Sequence, residues 1–163
     1  MYGNSPSALR LPTEFVSRLR ITTMKSCRLN LLSAVLLLTA TAAHADVVVV
    51  VSAKSAVTSL TKSQVSDVFL GKTATFPDGG QAVPVDQPNG VAEHDEFHEK
   101  VTGKSGSQLK SYWAKQLFSG KGTPPKEVSG DADVRKLVAA NPNLIGYIEK
   151  SAVDSSVKVV FTP

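Results

Sequence analysis

The sequence predicts an α/β fold: a mixed, mostly parallel sheet flanked by helices. Three observations predict it. Val47 to Val51 is an unbroken β-branched run, the pattern of a strand buried on both faces. Apolar residues recur at helical spacing in several later stretches, as in Leu109, Tyr112, Trp113 and Leu117, with Gln116 at the same spacing. Strand-like and helix-like segments alternate along the chain instead of clustering by type.

Each element has its own signal. Ser52 to Leu60 is small and polar, a loop. Thr61 caps a helix over Lys62 to Leu70, whose Val65, Val68 and Phe69 share a face, and Gly71 ends it. Phe76 to Gly80 reads as a turn and Ala82 to Val85 as a second strand. Val91 to Val101 fits a helix, with Phe97 and Val101 four apart. Thr102 to Gly106 breaks it, and Ser107 is expected to cap a third helix, Gln108 to Phe118. Ser119 to Pro125 is a loop. Asp131 opens a fourth helix carrying Val134, Leu137 and Val138, which Asn141 and Pro142 close. Leu144 to Ile148 and Val157 to Phe161 complete the sheet.

The first 45 residues read as a leader. From Met24, Lys25 and Arg28 form a basic n-region, and Leu29 to Ala40 an apolar h-region. Ala43-His44-Ala45 is a small-x-small cleavage site. This pattern predicts a secretory signal peptide cut after Ala45, with translation starting at Met24 and the product in the periplasm. Residues 46–163 then form one domain of 118 residues, enough for one ordinary core. Of the 18 basic and 14 acidic residues, five basic and one acidic fall in the leader, so the remainder carries no formal net charge. No basic footprint for nucleic acid remains. Cys27 also falls in the leader, so residues 46–163 have no thiol for a disulfide, a metal site or a nucleophile.

The stretch VPVDQPNGVAEHDEF, Val83 to Phe97, joins a strand to a helix through a Gly turn. Such a junction aims free backbone N–H groups and a helix dipole at an anion. The stretch carries Asp86, Glu93 and Asp95 and neither Arg nor Lys.

Four segments resemble the substrate-binding proteins of phosphate ABC transporters: SLTKSQVSDVFLGKTATFPDG, PVDQPNGVAEHDEF, WAKQLFSGKGTPP and VAANPNLIGYI. The resemblance runs from Val47 to about Val160, in the family's order. It implies one lobe of the type II periplasmic binding protein fold, in which the ligand lies between two lobes. It implies a non-enzymatic exported domain that binds phosphate or another small anion for ABC-type uptake. The alternative is a periplasmic adaptor that has lost ligand binding. Its expected partners are an ABC permease or another envelope protein, or a second copy of the chain completing the half-cleft; no cofactor is expected.

In this resemblance the ligand site is Gln87, Asn89, Gly90, Val91 and Ala92. Gln87 stands where the family has Arg, Val91 where it has Ser and Glu93 where it has Thr. The remaining donors are the Gln87 and Asn89 side chains and the backbone N–H groups of Gly90 to Ala92. A charge-assisted contact is about twice as strong as a neutral one, so the Arg is the largest loss.

Other motifs receive plainer readings. His94 and His98 stand four apart on a helix, a metal-capable spacing, but Asp95 replaces the base of the zinc-protease motif. With no third ligand evident in sequence, they are expected on an exposed polar face, and no metal site is predicted. Asp95 and Glu99 fit a solvated face. Gly103-Lys104-Ser105 lacks the phosphate-wrapping loop of a P-loop and reads as a helix–helix connection. Lys121, between two glycines, reads as solvated. Tyr112, Trp113 and Phe118 are expected to pack in the core. No nucleophile–base–orienter set is legible, so no catalytic residue is assigned.

Overall fold

A computed structural model describes residues 46–163. The leader, its cleavage site and Cys27 lie outside the described residues. The strands are β1 Val47–Ser52, β2 Val83–Asp86, β3 Lys126–Glu127, β4 Leu144–Glu149 and β5 Val157–Phe161. The helices are α1 Lys62–Phe69, α2 Ala92–Phe97, α3 Gly106–Phe118 and α4 Asp131–Ala140. A π-helical turn, His98–Thr102, continues α2, and a 3-10 turn spans Lys150–Ala152.

The strands form one sheet in the order β3-β2-β4-β1-β5. β2 pairs in parallel with β3 and β4, and β1 pairs antiparallel with β4 and β5. Four strands therefore run one way and β1 alone runs the other. The expected mixed, mostly parallel sheet is present.

The valine run occupies the sheet interior because all six β1 residues are buried. Alternation divides it between two cores. Val47, Val49 and Val51 pack with Val65, Phe69, Phe97 and Tyr147, under α1 and α2. Val48 and Val50 pack with Val85, Val134, Val138 and Ile148, under α4. Gly146 in β4 lets α4 approach closely: a Cβ there would lie 2.7 Å from Val134 Cγ1. Leu70, Leu109 and Trp113 form a third cluster that seats α3.

Local signals held at most helix ends. Thr61 caps α1 in a full capping box with Gln64. The cap of α3 is Ser105, not Ser107. Gln108 Oε1 accepts from the Ser105 N–H at 3.0 Å, closing a capping box two residues earlier than expected. β3 was not foreseen, since two residues carry no periodicity of their own.

Phe118 departs from the expected core packing, and Leu117 beside it is exposed too. Trp113 is buried as expected, but Phe118 is 95 % exposed and Leu117 52 %. The two residues fall at the last turn of α3, beyond the cluster that seats it.

Candidate functional site

In open α/β sheets, ligands lie outside the carboxyl ends of the strands. Here β2 and β3 end side by side, with Asp86 paired to Glu127. Beyond them opens a cavity of about 660 Å³, bordered by Asp86, Asn89, His94, Lys110, Trp113 and Glu127. Apolar and prolyl residues of α3 and the following loop, among them Leu117 and Pro125, form much of its wall.

Asp86 is the centre of a buried polar network. Val85 faces the α4 core, so alternation turns Asp86 toward α2. His98 Nε2 lies 3.1 Å from both Asp86 carboxylate oxygens. The Tyr147 hydroxyl donates to Asp86 Oδ1 at 2.5 Å, and the Gln87 N–H donates to the same oxygen at 2.9 Å. Burial pushes the Asp86 carboxyl up, but the hydrogen bond and charge of His98, then the Tyr147 hydroxyl and His94, outweigh it; the net shift is downward. Burial, then the Asp86 charge, raises the Tyr147 phenol far above its ordinary value.

The histidines correct the expected exposed face. His94 is 3 % exposed and His98 fully buried. Their rings stand 4.5 Å apart, centre to centre. His94, Phe97, His98 and Val101 together make an i, i+3, i+4, i+7 stripe, the inward face of a helix. That stripe was the available signal: the imidazoles fill its two remaining positions. Asp95 and Glu99, on the opposite face, are exposed as expected. His94 Nδ1 and Asp95 Oδ1 lie 2.9 Å apart. The helix is π-wound from His98, a distortion that often marks functional sites.

A third potential ligand is present after all. Donor atoms of Asp86, His94 and His98 lie within 4.8 Å of one another, and all three residues are buried.

The turn residues divide into two groups. The Gln87 amide points inward, donating to Asp131 Oδ1 at 2.9 Å and to the Tyr147 carbonyl at 3.3 Å. That corrects its expected availability as a donor: its polar capacity ties the turn to α4 and β4. Asn89 lies at the cavity, its amide donating to the Gly106 carbonyl at 3.3 Å. Gly106 permits this contact, because a Cβ there would sit 2.7 Å from Asn89 Oδ1. Gly90 has φ +93°, a left-handed geometry that suits glycine. Val91 is the N-cap of α2 with no side-chain cap bond, and Ala92 begins the helix. The first backbone N–H groups of a helix have no partner within it. Glu93 and Asp95 fall in the first turn, where they already complement the positive end of the dipole.

The fold is that of a periplasmic-binding-protein-like lobe. Solved structures of phosphate-transport receptors share it. The chain is similar to a protein described as a phosphate ABC transporter substrate-binding protein with bound phosphate, from Clostridium perfringens. The TM-score is 0.57 and the identity 24%, over 71% of this chain and 44% of that one. It is also similar to an ABC-type phosphate transport receptor from Vibrio cholerae, at TM-score 0.56 and 20% identity, over 71% of this chain and 45% of that one. PstS from Borrelia burgdorferi matches at TM-score 0.53 and 10% identity, over 71% of this chain and 46% of that one. The chain thus spans less than half the length of each, and at such identities the likeness establishes the fold. No protein-family model and no curated protein matches the sequence.

Proposed function

We propose that residues 46–163 form an exported, non-enzymatic, substrate-binding-protein-like domain. It binds a small anion, phosphate being the first to test, and serves ABC-type uptake through a permease in the envelope. The observation that carries this reading is Asn89, which borders the cavity beyond the carboxyl ends of β2 and β3 and leads into the Gly90-Val91-Ala92 turn. Asn89 and the backbone N–H groups of Gly90 and Ala92 supply the donors, while the Val91 N–H donates to the Pro88 carbonyl and Gln87 holds the turn in place. Asp86 and Glu127 at the same cavity oppose a phosphate dianion, and Lys110 offsets one charge. Binding is therefore expected to be weak, in the millimolar range, about 4 kcal/mol.

Calorimetric titration of the purified protein with phosphate tests this. Saturable heat that Asn89→Ala weakens supports the reading. No heat and no thermal shift at millimolar phosphate sinks direct binding.

One observation favours a second reading, an adaptor that binds an envelope protein without a ligand: Leu117 and Phe118 are exposed at the end of α3. Large exposed apolar side chains grouped together mark interaction surfaces. Pull-down from envelope extracts separates the two readings. Capture that ignores phosphate and fails with Phe118→Ser supports the adaptor.

A further inference from the structure

We propose that Asp86, His94 and His98 form a binding site for a divalent transition-metal ion, with zinc the first candidate. The proposal does not depend on anion binding at the neighbouring turn.

The donor set fits. Two imidazoles and one carboxylate, with a fourth position left open, is a recurrent zinc arrangement, and borderline divalent metals prefer such nitrogen-rich sets. The distances are close to what is needed. Ligand bonds of about 2.0–2.1 Å in a tetrahedron place donor atoms roughly 3.3 Å apart. His98 Nε2 and Asp86 Oδ2 already lie 3.1 Å apart, and the widest separation in the triad is within 4.8 Å. Modest side-chain rotation of His94 closes the set.

The surroundings resemble those of a metal site. His94 Nδ1 faces the Asp95 carboxylate at 2.9 Å, which leaves Nε2 as the ligand atom. A carboxylate behind a ligating imidazole fixes its tautomer and raises its basicity. Tyr147 and the Gln87 N–H hold the Asp86 carboxylate in the same way. His98 Nδ1 is buried with no hydrogen-bond partner, so no contact opposes its carrying the ring proton while Nε2 takes a metal. On binding, the metal takes the Nε2 lone pair, and the ring proton resides on Nδ1. Asp86 and His94 border the cavity, which gives the ion a way in and a fourth ligand from solvent.

The test is titration of the purified protein with Zn²⁺ by calorimetry and with Co²⁺ by visible absorption. One ion per chain is expected, with the intense visible bands of four-coordinate cobalt. His94→Ala should weaken binding by at least tenfold. Asp95→Asn, at an exposed position that leaves the core untouched, should weaken it by about tenfold. Failure to take up one equivalent of either ion overturns the proposal. So does uptake that neither substitution weakens, which would place the ion elsewhere on the chain.

Discussion

The helices α2 and α3 border the same cavity but differ in where they depart from the ordinary sorting of side chains. α2 and its π-wound extension turn two histidines inward, where they meet a buried aspartate. α3 buries Leu109 and Trp113, then ends with Leu117 and Phe118 in solvent. One region hides polar groups and the other displays apolar ones. Each runs against the ordinary partition of side chains by water. A buried polar group is tolerated only when it is hydrogen-bonded, and Asp86 has three donors or ring partners at once. Exposed apolar groups need no such support, since they cost little in a monomer and gain energy only when covered.

The buried network is most sensitive to substitution at Asp86. Asp86→Ala leaves the Tyr147 hydroxyl and the His98 ring without their partner and should lower stability by about 3–5 kcal/mol in urea denaturation. A loss below about 1 kcal/mol would mean that the network contributes little to the fold.

Trp113→Ala tests where α3 stops being core. Removing this buried ring should cost about 3 kcal/mol, the lower end for a large aromatic, because Trp113 already borders an open cavity and its loss enlarges that opening instead of leaving a sealed void. A much smaller loss would extend the loosely held part of α3 back from its tip.

Tyr147→Phe sharpens the picture of the buried side. It removes the hydroxyl's bond to Asp86 and the one it accepts from the Gln87 N–H, and leaves the ring stacked on Phe97, so a loss of about 1–2 kcal/mol is expected at neutral pH. The pH dependence has a definite sign. The folded phenol titrates far above its unfolded value of about 10, so its contribution is intact below that pH and falls as the pH rises further. Tyr147→Phe should flatten that alkaline decline, measured as melting temperature against pH.

Phe118→Ser should have the smallest effect on stability, within about 0.5 kcal/mol. Under the adaptor reading its consequence falls in binding instead, as loss of capture from envelope extracts. A clear destabilisation would show that Phe118 is held by contacts its exposure does not suggest.

Much of the fold was legible. The unbroken run Val47 to Val51 identifies a central strand because only a doubly covered strand keeps both faces apolar. Thr61 with Gln64 marks a helix start because the two side chains satisfy each other's backbone donors. β3 escaped notice because its two residues owe their strand geometry to pairing with Val85 and Asp86. The site was only half legible. The Gly turn at Gly90 could be read from the residue itself, since φ +93° favours glycine. The inward turn of Gln87 could not, because its partners are Asp131 and the carbonyl of Tyr147, distant in sequence.

The sequence by itself determined the α/β order of elements, the buried centre of the sheet and the strand–turn–helix at Val83 to Phe97. These follow from local preferences: β-branching, capping, glycine at positive φ and the spacing of apolar residues. Tertiary structure decided which side of α2 faces inward, and therefore whether two histidines are solvated or buried. It also brought Asp86 and Tyr147, 61 residues apart, to one hydrogen bond. The physical reason is that burial and pairing belong to contacts between elements, whereas periodicity records only the faces each element has to offer.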